Sequence, residues 1–477
     1  MPPLPRPTAP RRITLPPREA QIGAEADVLV VGGGPAGIGA AVGAANAGAR
    51  TVLTERYGFL GGNATAALVM PLTSFHAHRD RMPILDETRL FPQDQGPGDP
   101  VVAGVFRTFV SRLVAAGGAL TPSAATGFTV PFDPEMLKLV ALDLLDEAGV
   151  LFLLHAFASG VVNVDGALDV VFETKSGPVL VRARIVVDCT GDGDVAAAAG
   201  APFEVGRDPD GLVQPMTLMF RMGQFERAAF AAYGKEHPDQ WRGVHGLWDL
   251  VRRATEADEL ELQREDVLLF GTPHEQEVSV NSTRVTGVLG TNVWDLTRAE
   301  WDGRRQFRQM VRFLQRWVPG FEEAYAIQSG VNIGVRETRR MLGDYQLTAD
   351  DLLGARQFDD VIARGAYPID IHNPTGRGTV LRHLPPGRAY DIPLRALIPQ
   401  SVDRVIVAGR CISGTHEAHS SYRVMPTSMA TGHAAGVCAA LAAKDDRPPR
   451  ELPAEAVQRE LLHQGADLGR LNRTVSA

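Results

Sequence analysis

The sequence predicts an α/β fold: a Rossmann-like, three-layer domain with a central parallel sheet and a β-meander, interrupted by an inserted α+β domain. Three observations carry this expectation. Residues 27–55 read DVLVVGGGPAGIGAAVGAANAGARTVLTE: an apolar run, a glycine turn, a helix-like run and a second apolar run. Strand-like segments follow at 150–156, 158–164, 168–174 and 179–188, with Asp165-Gly166 and Ser176-Gly177 as turn signals. An irregular stretch, 206–389, then separates this meander from one more buried-strand pattern at Arg404–Gly409.

The opening unit says most about chemistry. Val28–Val31 ends in Gly32-x-Gly34-x-x-Gly37, and Thr51–Thr54 ends in Glu55, 18 residues after Gly37. Gly32 permits the tight turn. Gly34 lets the backbone approach a pyrophosphate, and Gly37 lets the helix pack close to the sheet. The helix N-terminus offers free N–H groups and positive partial charge to the phosphates. Glu55 can accept hydrogen bonds from a ribose. The spacing points to an adenine dinucleotide.

The other elements follow from local signals. Gly58–Thr65 precedes a short apolar stretch to Met70. Residues 76–100, rich in Pro, Gly and Asp, read as a loop or flap, and 101–117 as a helix. Asp133-Pro134-Glu135 opens a second helix: Asp133 suits the N-cap, Pro134 the first helical position, and Glu135 the dipole. Met136, Leu137, Val140 and Leu144 recur at helical spacing, and Gly149 ends the run. Within the irregular stretch, Glu277–Val285 reads as a strand. A helix over 303–317 carries Phe307, Met310, Val311, Leu314 and Trp317 on one face. Arg304, Arg305, Arg308, Arg312 and Arg316 form its solvated side. Pro426 starts a last helix whose Gly432, Ala435, Gly436 and Ala439 let it lie close to a neighbour or ligand.

These elements predict an extended or disordered arm over 1–23. A discontinuous dinucleotide domain follows over 24–75, 134–205 and 390–445. The substrate or cap domain takes 76–133 and 206–389, and the tail is 446–477. The arm has seven prolines in its first 17 residues and reads as neither signal peptide nor membrane anchor. The 477 residues are too many for one small core. A net charge of −8 disfavours a nucleic-acid partner. The three cysteines, Cys189, Cys411 and Cys438, form no Cys-x-x-Cys pair and are too few for an iron–sulfur cluster. The expectation is a cytoplasmic protein in a reducing compartment, with no membrane partner and a homodimer as the prior for assembly.

With these residues in place, the chain resembles the FAD-dependent oxidoreductases of the glutathione-reductase-like superfamily, and within it a broad bacterial FAD-dependent oxidoreductase family. The resemblance rests on GGGPAGIGAA with Glu55, on Gly58–Thr65, on Val187–Asp194 (VDCTGDGD), and on Ala408–Ser413 with Arg423–Thr427 and Gly432–Gly436. Gly334–Arg340 also fits, and the match spans roughly 25 to 443. It implies FAD as cofactor. Gly32, Gly34, Ala36 and Gly37 would face the pyrophosphate, with Pro35 beside them; Glu55 would face the adenosine ribose and Arg56 the adenosine. Gly61, Gly62 and Asn63 would run near the ribityl chain and ring. Backbone near Phe157 would bracket the adenine, Thr190, Gly191 and Asp192 would close the fold, and Gly409 and Arg410 would reach the ribityl end. Relatives often carry Gly-Asp where this chain has Gly409-Arg410, which leaves that contact open. The helix from Pro426 would aim its N-terminus at the flavin, where reduction develops negative charge.

The chain offers no second G-x-G-x-x-G unit after a strand, so the expected electron source is a small organic substrate that hands a hydride to the flavin. The alternatives are an NAD(P)H-driven hydroxylase or C=C reductase, and a non-catalytic flavin-binding or RNA-modification partner. The catalytic candidates are His416, Arg423 and Arg336. His416 and His419 precede Arg423 in what reads as a loop beside the flavin; either could be a general base or a structural group. Arg336 and Arg340 would share one helical face and suit a substrate carboxylate, though an internal network with Glu337 and Asp344 is the preferred reading. His372, Arg377 and Tyr390 are further cavity candidates. No metal is expected, because the zincin pattern fails at Ser420 and His76-Ala-His78 lacks further ligands.

Overall fold

The computed structural model describes residues 3–8, 13–78, 98–164 and 167–473. The Asp165-Gly166 turn and most of the 76–100 segment lie outside the described residues. The strands His76–His78 and Gly98–Pro100 pair antiparallel at that segment's edges, where a loop was expected.

The chain opens with strand β1 (Gln21–Val31), so the last residues of the expected arm already belong to the sheet. Helix α1 (Pro35–Asn46) and strand β2 (Thr51–Thr54) complete the predicted unit. β1 pairs parallel with β2 and with the later strand Gly177–Asp188, and Val28, Leu29 and Val30 are completely buried. Burial on both faces explains why they form a continuous apolar run rather than an alternating one. Helix α2 (Val105–Ala115) and helix α3 (Pro134–Glu147) follow. At the start of α3 the Asp133 carboxylate accepts the N–H groups of Glu135 at 2.7 Å and Met136 at 3.3 Å. This is the expected N-cap, an interaction of about 1 kcal/mol.

Four strands form the meander region: β3 (Leu151–Leu153), β4 (Phe157–Val164), β5 (Ala167–Thr174) and β6 (Gly177–Asp188). β3 joins β2 in parallel, whereas β4, β5 and β6 run antiparallel. The twelve-residue β6 belongs to both parts of the sheet. Its first half pairs with β5, and its last residues lie between β1 and the late strand β7 (Val405–Val407). The order across the sheet is β3-β2-β1-β6-β5-β4, with β7 also on β6. This is a mixed sheet with a parallel core and an antiparallel arm, with helices packed against it.

The inserted part has its own six-stranded antiparallel sheet, which includes Phe220–Gly223, Val278–Val280 and Tyr325–Ser329. The expected Glu277–Val285 strand is shorter because the chain bridges elsewhere after Val280. Helix α4 (Val293–Trp317) starts ten residues earlier than its apolar face indicates. The Asn292 side chain caps it by accepting from Trp294 and Asp295 N–H. Met310, Phe313 and Leu314 pack with Phe220, Phe225 and Phe321 in a separate apolar cluster, and the five arginines are exposed as expected.

Helices α5 (His416–Tyr422), α6 (Met425–Asp445) and α7 (Ala454–His463) close the chain. α6 crosses α1 at very close range. A Cβ added at Gly432 would lie 1.9 Å from the Ala36 carbonyl oxygen, and one at Gly436 2.0 Å from that of Ala40. The small-residue pattern of α6 therefore serves a neighbouring helix. The C-terminal segment folds back onto the core through α7, where Leu461 is fully buried.

Candidate active site

The first cavity lies where the C-terminal ends of β1, β2 and β6 meet the starts of α1 and α6. It holds about 1200 Å³ of space, part of it open to solvent. It gathers residues from almost the whole chain, from Val31 to Ser428. Every cofactor candidate of the sequence lines it except Gly37 and Gly61. Gly61 supports the wall from behind, giving its N–H to the Gly33 carbonyl at 2.8 Å. Gly37 sits against the turn, where a Cβ would lie 1.7 Å from the Gly32 carbonyl oxygen. Gly32 itself has φ +102°, a conformation that favours glycine.

Local chemistry fits a dinucleotide. Gly34, the N-cap of α1, and Val424, the N-cap of α6, provide no side-chain cap, so both helix starts leave N–H groups for a ligand at one cavity. The Glu55 carboxylate is buried and accepts N–H groups from Gly33 at 2.7 Å and Tyr57 at 2.9 Å. Burial raises its pKa, and those backbone bonds oppose the rise. Glu55 thus ties the second strand to the glycine turn as well as lining the cavity, a bond the sequence does not announce. At the far side, Arg410 pairs with Asp192 at 2.7 Å, and Thr338 donates to the same Asp192 oxygen at 2.7 Å. Nearby Asp194, paired with Arg339 at 2.8 Å, has its pKa pushed up to about 6 by burial and by Asp192 and Asp188.

A second cavity adjoins the first. The two share Asn63, Val335, Arg410, Arg423 and Met425. The second is also lined by Thr217, Asn281, Arg336, Tyr367, Asp370 and His372. Strand Ile369–His372 presents Asp370 and His372 two residues apart, on one face. Asp370 accepts the Tyr367 hydroxyl at 2.8 Å and lies 3.8 Å from Arg423 and 3.6 Å from His372 Nε2. Burial pushes its carboxyl up, but His372, Arg423 and Tyr367 outweigh this and hold it well below the usual carboxylate range. Arg284 donates to His372 Nδ1 at 3.2 Å. Nδ1 is therefore the acceptor, and the neutral ring carries its proton on Nε2, facing Asp370. Burial and then Arg336 push His372 down to about 3, so it is neutral at pH 7. Burial followed by Asp370 pushes the Tyr367 phenol upward, so it too is neutral.

Of the catalytic candidates, Arg336 and Arg423 line the second cavity and His416 lines neither. His416 starts α5 rather than sitting in a loop. It is buried, with Nδ1 2.9 Å from Glu337 Oε1. His419 is fully buried, and burial pushes its pKa well below the usual value. The expected shared helical face for Arg336 and Arg340 does not exist. Residues 332–338 carry no helix, and Arg339–Met341 is a strand paired with Phe203–Val205. The arginines divide: Arg340 enters the internal network with Glu337, Gly206 and Gly414, while Arg336 faces the cavity. Asp344 takes no part and pairs with Arg450. Arg377 is exposed, and Tyr390 is buried against Ser421 rather than lining a cavity. Tyr367, Asp370, Thr217 and Arg284 were not singled out by sequence. The Asp370-x-His372 alternation was the available signal for Asp370.

Among the described residues, no group of three or more His, Cys, Asp or Glu side chains is arranged to hold a metal, and the three cysteines are buried and free. No helix among them is long and apolar enough to cross a membrane.

A parallel-sheet edge with two uncapped helix starts at one cavity defines the class: a Rossmann-like dinucleotide-binding protein with an inserted domain. Residues 27–461 match the family described as FAD dependent oxidoreductase, and the chain belongs to that family. It is an FAD-dependent enzyme, and its cofactor is FAD. A search of curated proteins finds no match. Among solved structures it is similar to a geranylgeranyl bacteriochlorophyll reductase-like protein from Thermoplasma acidophilum, at 14% identity and TM-score 0.42, covering 92% of this chain and 83% of that one. It is similar to p-nitrophenol 4-monooxygenase from Pseudomonas putida, at 10% identity and TM-score 0.46, covering 94% and 92%. It is also similar to anhydrotetracycline hydroxylase from Streptomyces rimosus, at 13% identity and TM-score 0.45, covering 92% and 66%.

Proposed function

We propose that the enzyme dehydrogenates a small organic substrate, with bound FAD accepting the hydride, and that the substrate occupies the second cavity. The observation that carries this is the shared wall: Asn63, Val335, Arg423 and Met425 border both cavities. A molecule in the second would stand one layer of side chains away from the first. We assign the glycine turn, Glu55, Arg56, Phe157, Thr190–Asp192 and Gly409–Arg410 to holding FAD. Arg336 and Arg423 orient the substrate, Asp370 supplies a fixed negative charge, and His372 keeps that carboxylate in place. We assign His416 to positioning Glu337 rather than to proton transfer, because it lines neither cavity. The antiparallel arm β4–β6 and the return strand β7 support the glutathione-reductase-like branch. The net charge of −8 supports a small molecule over a nucleic acid.

The test is anaerobic mixing of the purified holoenzyme with panels of alcohols, amines and hydroxy acids, followed by flavin absorbance near its visible maximum. Bleaching by a panel member without a nicotinamide supports the reading. Fast bleaching by NADPH alone, with none from any panel member, replaces it with an NADPH-driven hydroxylase or reductase.

A further inference from the structure

The charges around the second cavity do not balance. Three of its lining residues are arginines, and the single carboxylate among them is Asp370. Arg410 is already paired with Asp192. Asp370 lies nearest to Arg423 and His372. Arg336 is left with neutral partners: its Nη1 donates to the Pro215 carbonyl at 2.7 Å and to the Thr217 hydroxyl at 2.6 Å. No carboxylate of the described residues lies within ion-pair distance of it. Both bonds use one nitrogen. The edge formed by Nε and Nη2 has no acceptor among the described residues, yet neither atom is sealed away as a buried, unsatisfied group. That edge is the one a guanidinium offers to a carboxylate in a bidentate pair.

The surroundings make an uncompensated arginine costly. Burial, then the guanidiniums of Arg423, Arg284 and Arg264, push Arg336 down to about 9. Arg284 has carbonyls and His372 as its partners, and burial followed by Arg264 pushes it down to about 10. A cluster of like charges held out of water is stabilised by an anion that enters it. Arg423, whose Nε is buried without a partner, stands on the same cavity and borders the cofactor wall as well.

We propose that the substrate is a small organic acid, and that its carboxylate docks on the Nε–Nη2 edge of Arg336 with Arg423 as the second cation. This rests on the second cavity being the substrate site. Thr217 fixes the plane of the Arg336 guanidinium and is a positioning residue. The acid group is bound as the anion and takes no part in bond breaking, so its role is to set which carbon of the substrate faces the shared wall.

The holoenzyme is titrated with acetate, propionate and benzoate at constant ionic strength, read by flavin difference absorbance and by melting temperature. Acetamide, chloride and inorganic phosphate serve as comparators. Saturable binding of a carboxylate, at least tenfold tighter than its amide and than either inorganic anion, is the expected result. Arg336→Gln should weaken that binding on the order of tenfold to a hundredfold, while Arg336→Lys keeps part of it. Thr217→Val should weaken it less and leave the carboxylate preference in place. FAD retention in each variant reports that the protein has folded. Equal binding of acid and amide, or equal binding by wild type and Arg336→Gln with FAD retained, overturns the proposal. Those outcomes leave the dehydrogenase reading standing if neutral alcohols or amines still bleach the flavin. Conversely, tight carboxylate binding with no bleaching by any acid keeps the clamp and removes that reading.

Discussion

Arg410 donates to Asp192 at 2.7 Å, joining the residues that follow β7 to those that follow β6 across the cofactor cavity. The arginine that follows one strand is met by an acid from the neighbouring strand end. Thr338, from the inserted part, bonds to both side chains, accepting from Arg410 at 3.0 Å and donating to Asp192. Both members of the ion pair are largely buried.

Removing one partner should therefore cost more than removing both. Arg410→Gln leaves the Asp192 carboxylate without its cation and should lower stability by about 3 kcal/mol. Asp192→Asn combined with Arg410→Gln should recover part of that loss. Denaturant titration of the holoenzymes measures both, and FAD release on dialysis should rise in the same order. With Asp192→Asn measured alone as well, a double-variant loss equal to the sum of the two single losses would show that the pair is not coupled.

The α1–α6 contact has no room for a side chain. Gly436→Ala puts a methyl group 2.0 Å from the Ala40 carbonyl oxygen and forces the helices apart. The expected cost is about 3 kcal/mol, with loss of bound FAD, because both helix starts border the cofactor cavity. An alanine at Gly48, where nothing lies within 4 Å, is the control for open space, although its φ of +89° carries backbone strain of its own. Melting temperature and flavin content should fall together in Gly436→Ala.

Acid should destabilise the fold well above the range in which carboxylates protonate. Burial lowers His372 to about 3 and His433 to about 4, so both are neutral in the native state below the unfolded value of about 6.5. The unfolded chain then binds more protons than the native one, and stability falls as pH drops from about 6.5 toward 4. Asp194, raised to about 6, works in the opposite sense over about 3.8 to 6, since it is the native form that holds the extra proton. Two histidines outweigh one aspartate. His433→Asn should flatten the slope of unfolding free energy against pH near 5 by about 1.4 kcal/mol per pH unit, whatever its effect on absolute stability. An unchanged slope would mean that His433 titrates normally in the fold.

His416 and Glu337 should separate in their effects. Glu337 is fully buried and accepts from the Gln214 N–H at 3.0 Å, from Arg340 and from His416. Glu337→Gln leaves the buried Arg340 guanidinium short of its near carboxylate and should cost about 3 kcal/mol or more. His416→Gln should cost less. It should also leave the pH dependence of flavin reduction by a substrate unchanged, as measured by anaerobic stopped-flow. A lost inflection near neutral pH in His416→Gln would restore that residue as the general base.

The fold around the first cavity was legible because its signals are local. A glycine turn, a spaced acid and a Pro-started helix each constrain a few consecutive residues, and 27–55 folds as that pattern demands. The second cavity was not, because it depends on contacts between distant segments. Arg336 and Arg340 look like helical neighbours, yet the chain there runs through irregular backbone into a short strand beside Phe203–Val205, which sends the two guanidiniums into different surroundings. The loop expected around His416, which instead starts α5, was misplaced for a related reason. The partner of His416, Glu337, lies 79 residues away, and no spacing rule joins them. The apolar face of α4 was read correctly, but its first turns were missed because their start is marked only by Asn292.

The interlock of α1 with α6 also makes an early motif depend on a late helix. The glycine turn begins at Gly32, but its cavity lacks a wall until Ala408 to Ser428 are in place and Gly432 and Gly436 are seated against Ala36 and Ala40. A chain cut at the end of the meander lacks that wall. A chain halted after the meander would carry the most recognisable motif of the molecule and still have nowhere to keep a flavin.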